Sequence, residues 1–277
     1  MRADVLLVER GLALSRTAAQ RLIAAGLVFV GEGNLRVALS KPSVSVARDS
    51  LLEVEASELD RFVSRGGLKL DGALTHVELD VAHWRCLDVG QSTGGFTDCL
   101  LQRCAAHVVG VDVGHDQLHP RMRSDLRVTC IEGVNARELS MAALADSVAA
   151  ACRNPSLPTP KAAVTGSDHG DFSPGFDLIV ADVSFISLTK VLPQWPALLS
   201  ANGRVLSLVK PQFEVGAENF ARGGIVRDVS LYAVVEATIR AACAQADLRV
   251  LDYFDSSITG TDGNREFFVH AAAAEKA

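Results

Sequence analysis

From residue 66 onward, short apolar runs alternate with longer stretches of helical period, and this rhythm limits the fold of the 277-residue chain more than any other feature. Strands are expected at 84–89, 108–113, 127–131, 176–183, 204–209, 249–254 and 266–273, and helices at 66–77, 94–104, 136–151, 188–199 and 230–246. Alternation of this kind builds an α/β fold, a doubly wound sheet whose parallel strands are linked by covering helices. The last two of the seven strands adjoin in sequence, so the sheet should end in an antiparallel hairpin. Residues 153–175 break the rhythm with four of the nine prolines and three glycines, the composition of a surface insertion. Asp168, His169 and Asp171 imitate a metal cluster there, but in a loop of this kind they are expected to be solvated, and no metal is expected.

Residues 1–57 follow another pattern. A short helix over 4–11 ends at Gly11, and Ser15 is placed to cap a second helix that runs to about Ala25 and stops at Gly26. A strand at 27–30, a turn at 31–34 and apolar pieces at 35–39 and 51–54 complete a small α+β unit. A polar hinge, Ser57-Glu58-Leu59-Asp60, marks the boundary, so 58–65 is expected to be a linker and 66–277 the larger domain. The net charge of −6 by itself argues against a polyanionic partner. Residues 1–48, however, hold seven basic side chains against three acidic ones, +4, which leaves −10 for the other 229 residues. A basic head on an acidic body is the asymmetry of a nucleic-acid-binding appendage.

No run of about 18 apolar residues is present, so no membrane span is expected, and Asp4 and Glu9 interrupt any secretory leader. The six cysteines form no CxxC pair and have no histidine at zinc spacing. A reduced, cytoplasmic chain is the expectation, with the cysteines as core filler.

The stretch Asp88 to Phe96, Asp-Val-Gly-Gln-Ser-Thr-Gly-Gly-Phe, falls where the first strand of the larger domain gives way to a helix. Glycines let backbone turn tightly and approach a ligand closely. The spacing lacks G-x-G-x-x-G and suits a pyrophosphate poorly. Asp112 closes the next strand, placed to accept hydrogen bonds from ribose hydroxyls. An adenosine-type cofactor without a demanding phosphate fits, and S-adenosylmethionine is such a molecule. Its candidate contacts are Asp88, Gly90, Ser92, Thr93, Gly94, Gly95, Phe96, Asp112 and Asp182. A seven-stranded sheet with a terminal hairpin suits a class I (Rossmann-like) methyltransferase better than a dehydrogenase.

Arg2-Ala3-Asp4, Gly11-Leu12, Ser15-Arg16, Ile23, Gly26, Val28 and Val30 resemble the S4 RNA-binding domain, with Ala3 departing from the usual leucine. That resemblance implies phosphate contacts for Arg2, Ser15, Arg16, Gln20, Arg21 and Lys41. Further motifs follow in order: Ser64-Arg65-Gly66-Gly67-Leu68-Lys69-Leu70, Asp182-Val183-Ser184-Phe185-Ile186-Ser187, Leu208-Val209-Lys210-Pro211-Gln212-Phe213-Glu214, Gly223-Gly224-Ile225-Val226-Arg227-Asp228 and Gly263-Asn264-Arg265-Glu266-Phe267-Phe268. With the S4-like head and the glycine turn, they are similar to the TlyA family, historically called hemolysins, which couples an S4 domain to an FtsJ/RrmJ-like ribosomal RNA 2'-O-methyltransferase domain. Gln91, where alanine is more usual, is a local departure. The resemblance implies a catalytic tetrad of Lys69, Asp182, Lys210 and Glu266, methyl transfer from S-adenosylmethionine to cytidine 2'-hydroxyls, and ribosomal RNA in ribosomal subunits as the partner. Arg65, Lys69 and Lys210 would add a basic rim for that RNA.

The chemistry agrees with the assignment. A ribose hydroxyl is a weak acid and a weak nucleophile, so it must be aligned with the S-methyl bond and lose its proton during attack. Lys210 is the candidate for orienting that oxygen, as a neutral base or as a cation beside the developing alkoxide. Asp182 would hold Lys210 and border the donor, and Glu266 and Lys69 would complete the orientation. No Pro-Cys supplies a nucleophile for pyrimidine carbon-5 methylation, and no [Asp/Asn]-Pro-Pro-[Tyr/Phe] marks amino-group methylation. Two other readings compete: a non-catalytic RNA-binding ribosome-assembly factor, and a membrane-lysing hemolysin, which would need lipid-facing segments that the sequence lacks.

Overall fold

The computed structural model describes residues 1–13, 15–55, 61–146, 175–216, 225–226, 228–260 and 263–274. The expected insertion (Gly175 apart), residues 58–60 of the linker, residues 147–151 of an expected helix, and the Gly223, Gly224 and Arg227 positions lie outside the described residues. The chain divides into two compact units, Met1–Val63 and Ser64–Ala277.

In the first unit, α1 (Ala3–Glu9) and α2 (Arg16–Ala24) pack beside an antiparallel sheet of order β2-β1-β3, with β1 Val28–Val30, β2 Val37–Ala38 and β3 Leu52–Val54. Ser15 caps α2: its Oγ accepts the Ala18 N–H at 3.1 Å, satisfying one of the orphan donors of the first turn. Leu6, Leu7, Leu22, Ile23 and Val28 from both helices and β1 are almost wholly buried together. Within 35–39 only Val37–Ala38 is strand, because a 3-10 turn, Gly33–Leu35, precedes it. The charge balance differs for the unit as a whole. Met1–Val63 also contains Asp49, Glu53, Glu55, Glu58, Asp60 and Arg61, so its eight basic side chains face eight acidic ones, and its net charge is zero. The +4 of residues 1–48 is a property of where the chain is cut.

The second unit holds a seven-stranded sheet of order β6-β5-β4-β7-β8-β10-β9. Its strands are β4 (Arg85–Val89), β5 (His107–Asp112), β6 (Val128–Glu132), β7 (Phe176–Ala181), β8 (Leu199–Val209), β9 (Leu248–Asp255) and β10 (Phe267–Ala273). The first five pair in parallel, and β10 runs antiparallel to both β8 and β9. β4 has β5 on one side and β7 on the other, so the strand order reverses there and opens a crevice at the carboxyl ends, the usual ligand position in open α/β sheets. Helices α3 (Gly66–His76), α4 (Gly95–Gln102), α5 (Pro120–Ser124) and the helix Ser230–Gln245 accompany it. Leu87, Val109, Ile179, Val205 and Val269 fill the core at zero exposure.

Three expected elements change. Residues 188–199 form two 3-10 turns, Leu188–Lys190 and Leu192–Gln194, and then enter β8, which starts five residues before the expected 204. Pro193 and Pro196 cannot continue an α-helix, yet Val191, Leu192, Trp195 and Leu198 are fully buried, so the apolar pattern reported burial rather than helix. The helix expected at 136–151 is broken: a 3-10 turn, Ala136–Glu138, is followed by helix over 141–146, with Ser140 Oγ accepting the Ala143 N–H. The short helices Pro120–Ser124 and Pro211–Glu214 were not expected. Cys86, Cys99 and Cys243 are buried as expected, whereas Cys104 is exposed; none of the described cysteines is in a disulfide. Among the described residues no helix is long and apolar enough to cross a membrane, and no cluster of metal-ligating side chains occurs.

Candidate active site

Sheet register brings three of the four tetrad residues to one rim. Val89 pairs with Ala181, Ala181 with Ser207, and Val209 with Phe267. Asp182 therefore follows β7, Lys210 follows β8, and Glu266 precedes the reversed strand β10, opposite Lys210. Lys69 arrives from α3. Its placement depends on glycine: a Cβ on Gly95 would lie 2.2 Å from Ser64 Oγ and 3.0 Å from the Gly67 nitrogen, so only a bare backbone lets the starts of α3 and α4 meet this closely.

The four side chains form two ion pairs. Lys210 Nζ lies 2.5 Å from Asp182 Oδ1 and donates to Ser184 Oγ at 2.7 Å. Lys69 Nζ lies 2.6 Å from Glu266 Oε2, with side-chain exposures of 10% and 3%. The second pair is shielded from water and the first opens onto the rim. Glu214 fastens the two loops that carry Asp182 and Lys210: it accepts from Ser187 Oγ at 2.6 Å and from the Leu188 N–H at 2.8 Å, and burial pushes its carboxyl pKa up. Phe185, 91% exposed and held at φ 62°, tilts against Phe213 with ring centres 5.2 Å apart. Positive φ in a bulky residue is unusual, and here it turns an aromatic face outward one residue after Ser184.

The glycine turn lies on the other side of Asp182. Gly90 has φ +84°, and a Cβ there would sit 2.7 Å from the Asp182 carbonyl oxygen. Asp112 accepts the Ser92 N–H at 2.8 Å and the Gly114 N–H at 2.7 Å, one on each oxygen, which leaves a further lone pair on each. Ser92 and Thr93 are exposed, whereas Gly94, Gly95 and Phe96 are buried. Phe96 stacks on Phe268, a packing position. Asp88 is fully buried; it accepts the Thr97 hydroxyl at 2.7 Å, and its other oxygen has no partner. Burial first, then the Asp182 and Asp112 carboxylates, push its pKa up to about 7 against the opposing Thr97 bond. Gln91 donates to Thr97 Oγ1 at 2.9 Å and covers Gly110, where a Cβ would meet its amide at 1.9 Å. Asp88 and Phe96 thus support the turn from beneath, while Ser92, Thr93 and Asp112 face its open side. The donor set suits S-adenosylmethionine: Asp112 keeps lone pairs for a ribose diol, and Asp182, 22% exposed, brings a carboxylate to the rim beside the glycine turn for a cationic donor. Sequence reasoning missed Ser184, Thr97 and Glu214, although Ser184 and Glu214 lie inside motifs it quoted.

In the first unit the candidate phosphate contacts behave differently from one another. Ser15 is occupied as a helix cap. Arg2, Arg16 and Gln20 converge on Asp4, which is completely buried. Lys41 is exposed and Arg21 half-buried. Three other cations are engaged internally: Arg36 pairs with Glu53 and Glu55, Arg48 pairs with Glu9, and Arg10 donates to the carbonyls of Arg48 and Ser50. Arg65, at the start of α3 in the second unit, donates to the Thr259 carbonyl at 3.3 Å.

Comparison with known proteins follows the same division. Residues 62–273 match the FtsJ-like methyltransferase family and residues 1–32 match the S4 domain. The chain is 39% identical over 268 residues to the 16S/23S rRNA (cytidine-2'-O)-methyltransferase TlyA of Mycobacterium tuberculosis, covering 97% of this chain and 88% of that protein. It is 34% identical over 270 residues to Hemolysin A of Brachyspira hyodysenteriae, covering 98% and 99%. A solved structure from Streptococcus thermophilus, also carrying a hemolysin name, superposes with a TM-score of 0.69 at 35% identity, covering all of this chain and 89% of that one.

Proposed function

The chain belongs to the FtsJ-like methyltransferase family and carries an S4 domain ahead of that module, and from this premise we propose that it transfers a methyl group from S-adenosylmethionine to a ribose 2'-hydroxyl of ribosomal RNA, with cytidine as the nucleotide. The observation that carries the reading is two lysine–carboxylate contacts on one rim of the sheet, Lys210–Asp182 after β8 and β7 and Lys69–Glu266 between α3 and the start of β10, with the exposed aromatic face of Phe185 three residues beyond Asp182. The cofactor supplies an electrophilic methyl group on a sulfonium. The protein's own residues do the rest. Ser92, Thr93 and Asp112 hold the adenosine end over the glycine turn, and Asp182 borders both the donor and Lys210. Lys210, fixed by Asp182 and Ser184, orients the incoming hydroxyl and accepts its proton or stabilises the oxyanion as the O–C bond forms. Lys69 and Glu266 hold the far side of the site in register. Phe185 offers a stacking surface for the base of the target nucleotide, an interaction that any base can make. Arg2, Arg16, Gln20, Arg21 and Lys41 on the first unit contact phosphates and position the RNA without reading its sequence.

The test is methyl transfer from labelled S-adenosylmethionine to ribosomal subunits purified from cells lacking the enzyme, with the modified positions mapped. Lys210→Ala should abolish incorporation and leave calorimetric cofactor binding intact. Incorporation at the wild-type rate by that variant would refute the assignment, and ribosome assembly that needs the chain but not Lys210 would favour a non-catalytic role.

A further inference from the structure

The face of α1 and α2 that is assigned to RNA contains a buried acid, Asp4, and a carboxylate is the last group expected on a surface that binds a polyanion. Its side chain has no exposure, and every donor it meets is one of the residues assigned to phosphate contact. Arg2 approaches in a fork, Nε to Oδ1 and Nη2 to Oδ2, both at 2.9 Å. Arg16 Nη2 lies 3.2 Å from Oδ2 and Gln20 Nε2 lies 2.9 Å from the same oxygen. The arginine side chains nevertheless stay 47% and 58% exposed, so their remaining N–H groups point to solvent. These three donors, Arg2 foremost, hold the Asp4 carboxyl well below the usual carboxylate range, so it is ionised at any working pH.

We propose that Asp4 is a positioning residue for RNA binding, one that fixes Arg2, Arg16 and Gln20 into a single preorganised phosphate-binding face. This rests on the reading of the first unit as RNA-contacting. Long side chains must be ordered when they bind, and ordering them in advance removes that cost from the binding step. Burying a carboxylate is itself unfavourable unless its partners are well placed, and here the partners are the functional groups. The effect of Asp4 on RNA affinity is then opposite in sign to that expected from its charge alone. Removing a negative charge beside bound phosphates should strengthen binding, whereas loss of preorganisation should weaken it by a few-fold per arginine, or about tenfold for two.

The experiment compares full-length wild type with Asp4→Asn, an isosteric variant that keeps every cation. Affinity for purified ribosomal subunits is read by co-sedimentation, and S-adenosylmethionine affinity serves as a control. About tenfold weaker RNA binding, largely abolished as a difference when Arg2→Ala and Arg16→Ala are already present, supports the proposal; a merely structural role would persist in that background. Equal or tighter binding by Asp4→Asn, with the arginine variants themselves weakened, overturns the proposal and keeps the RNA face. Unchanged binding by the arginine variants overturns both. Should Asp4→Asn fail to fold, the Arg2 Nε–H order parameter in the RNA-free wild type decides: a value near that of rigid backbone supports preorganisation, and a flexible one refutes it.

Discussion

Asp88→Asn tests the buried network under the glycine turn, and its outcome is a slope rather than a level. In the folded chain the Asp88 carboxyl titrates at about 7 against 3.8 for the free group, chiefly because burial disfavours its charged form. A raised carboxyl pKa contributes stability that is complete below the unfolded value and lost as pH rises through the folded one. Between these limits the native state holds a proton that the unfolded chain has released, so stability falls by about 1.4 kcal/mol per pH unit and by about 4 kcal/mol when the loss is complete. In the variant, Asn Oδ1 can still accept the Thr97 hydroxyl, but Nδ2 replaces an oxygen that has no partner, a buried donor costing about 1–3 kcal/mol at every pH. The level is therefore ambiguous and the pH dependence is not. Urea unfolding from pH 5 to 8.5 should be followed by tryptophan fluorescence, because both tryptophans, Trp84 and Trp195, lie in the second unit. Wild-type stability should fall relative to the variant by about 1.4 kcal/mol per unit between pH 5 and about 7. Parallel profiles, or a wild type that gains on the variant as pH rises, would show that Asp88 is ionised in the fold and that the burial argument is wrong.

Three further substitutions separate packing from chemistry. Lys69→Met should cost about 3–5 kcal/mol in urea unfolding, because it leaves Glu266, 3% exposed, as a buried charge without its partner; adding Glu266→Gln should recover part of that loss without restoring activity. Phe185→Ala should leave stability within about 0.5 kcal/mol, given its exposure, while lowering kcat/KM for RNA by the roughly 1–3 kcal/mol of a stacking contact; unchanged kcat/KM would remove the base-stacking role. Gly90→Ala meets a φ of +84° and the Asp182 backbone 2.7 Å away, so about 1–3 kcal/mol of strain is expected, together with loss of calorimetric S-adenosylmethionine binding; full binding would place the cofactor elsewhere.

The parallel strands and their rim were legible because near-continuous apolar runs bounded by helical stretches have few other solutions. The glycine turn was legible as a backbone feature, but the burial of Asp88 was not, since an acid at a strand end reads equally as a ligand contact or as a support. Residues 188–199 misled because apolar spacing reports burial, and two prolines decide whether the buried segment is α-helix or successive tight turns. The basic head misled for a different reason. Acids at 49, 53, 55, 58 and 60 belong to the same compact unit as the basic residues before them, and Asp4 lies at the centre of the cluster it appeared only to dilute. Which charges share a unit, and which face one another, is decided by contacts distant in sequence.

Net charge is a poor guide here because the site must hold two reactants of opposite sign. Along the sheet from β5 through β4, β7 and β8, the rim carries Asp112, then Asp88 beneath it, then Asp182, then Lys210. A uniformly acidic crevice would hold a sulfonium and repel RNA; a uniformly basic one would do the reverse. In the proposed reaction, running from carboxylates to lysine within four adjacent strands would place the cationic donor and the polyanionic acceptor on opposite sides of one residue, Asp182. Its 2.5 Å contact with Lys210 joins the two halves, so Asp182→Asn should disturb both at once: weaker cofactor binding by calorimetry and a displaced Lys210 seen as lost turnover. A variant that lost turnover with cofactor affinity fully retained would separate those roles and confine Asp182 to the lysine.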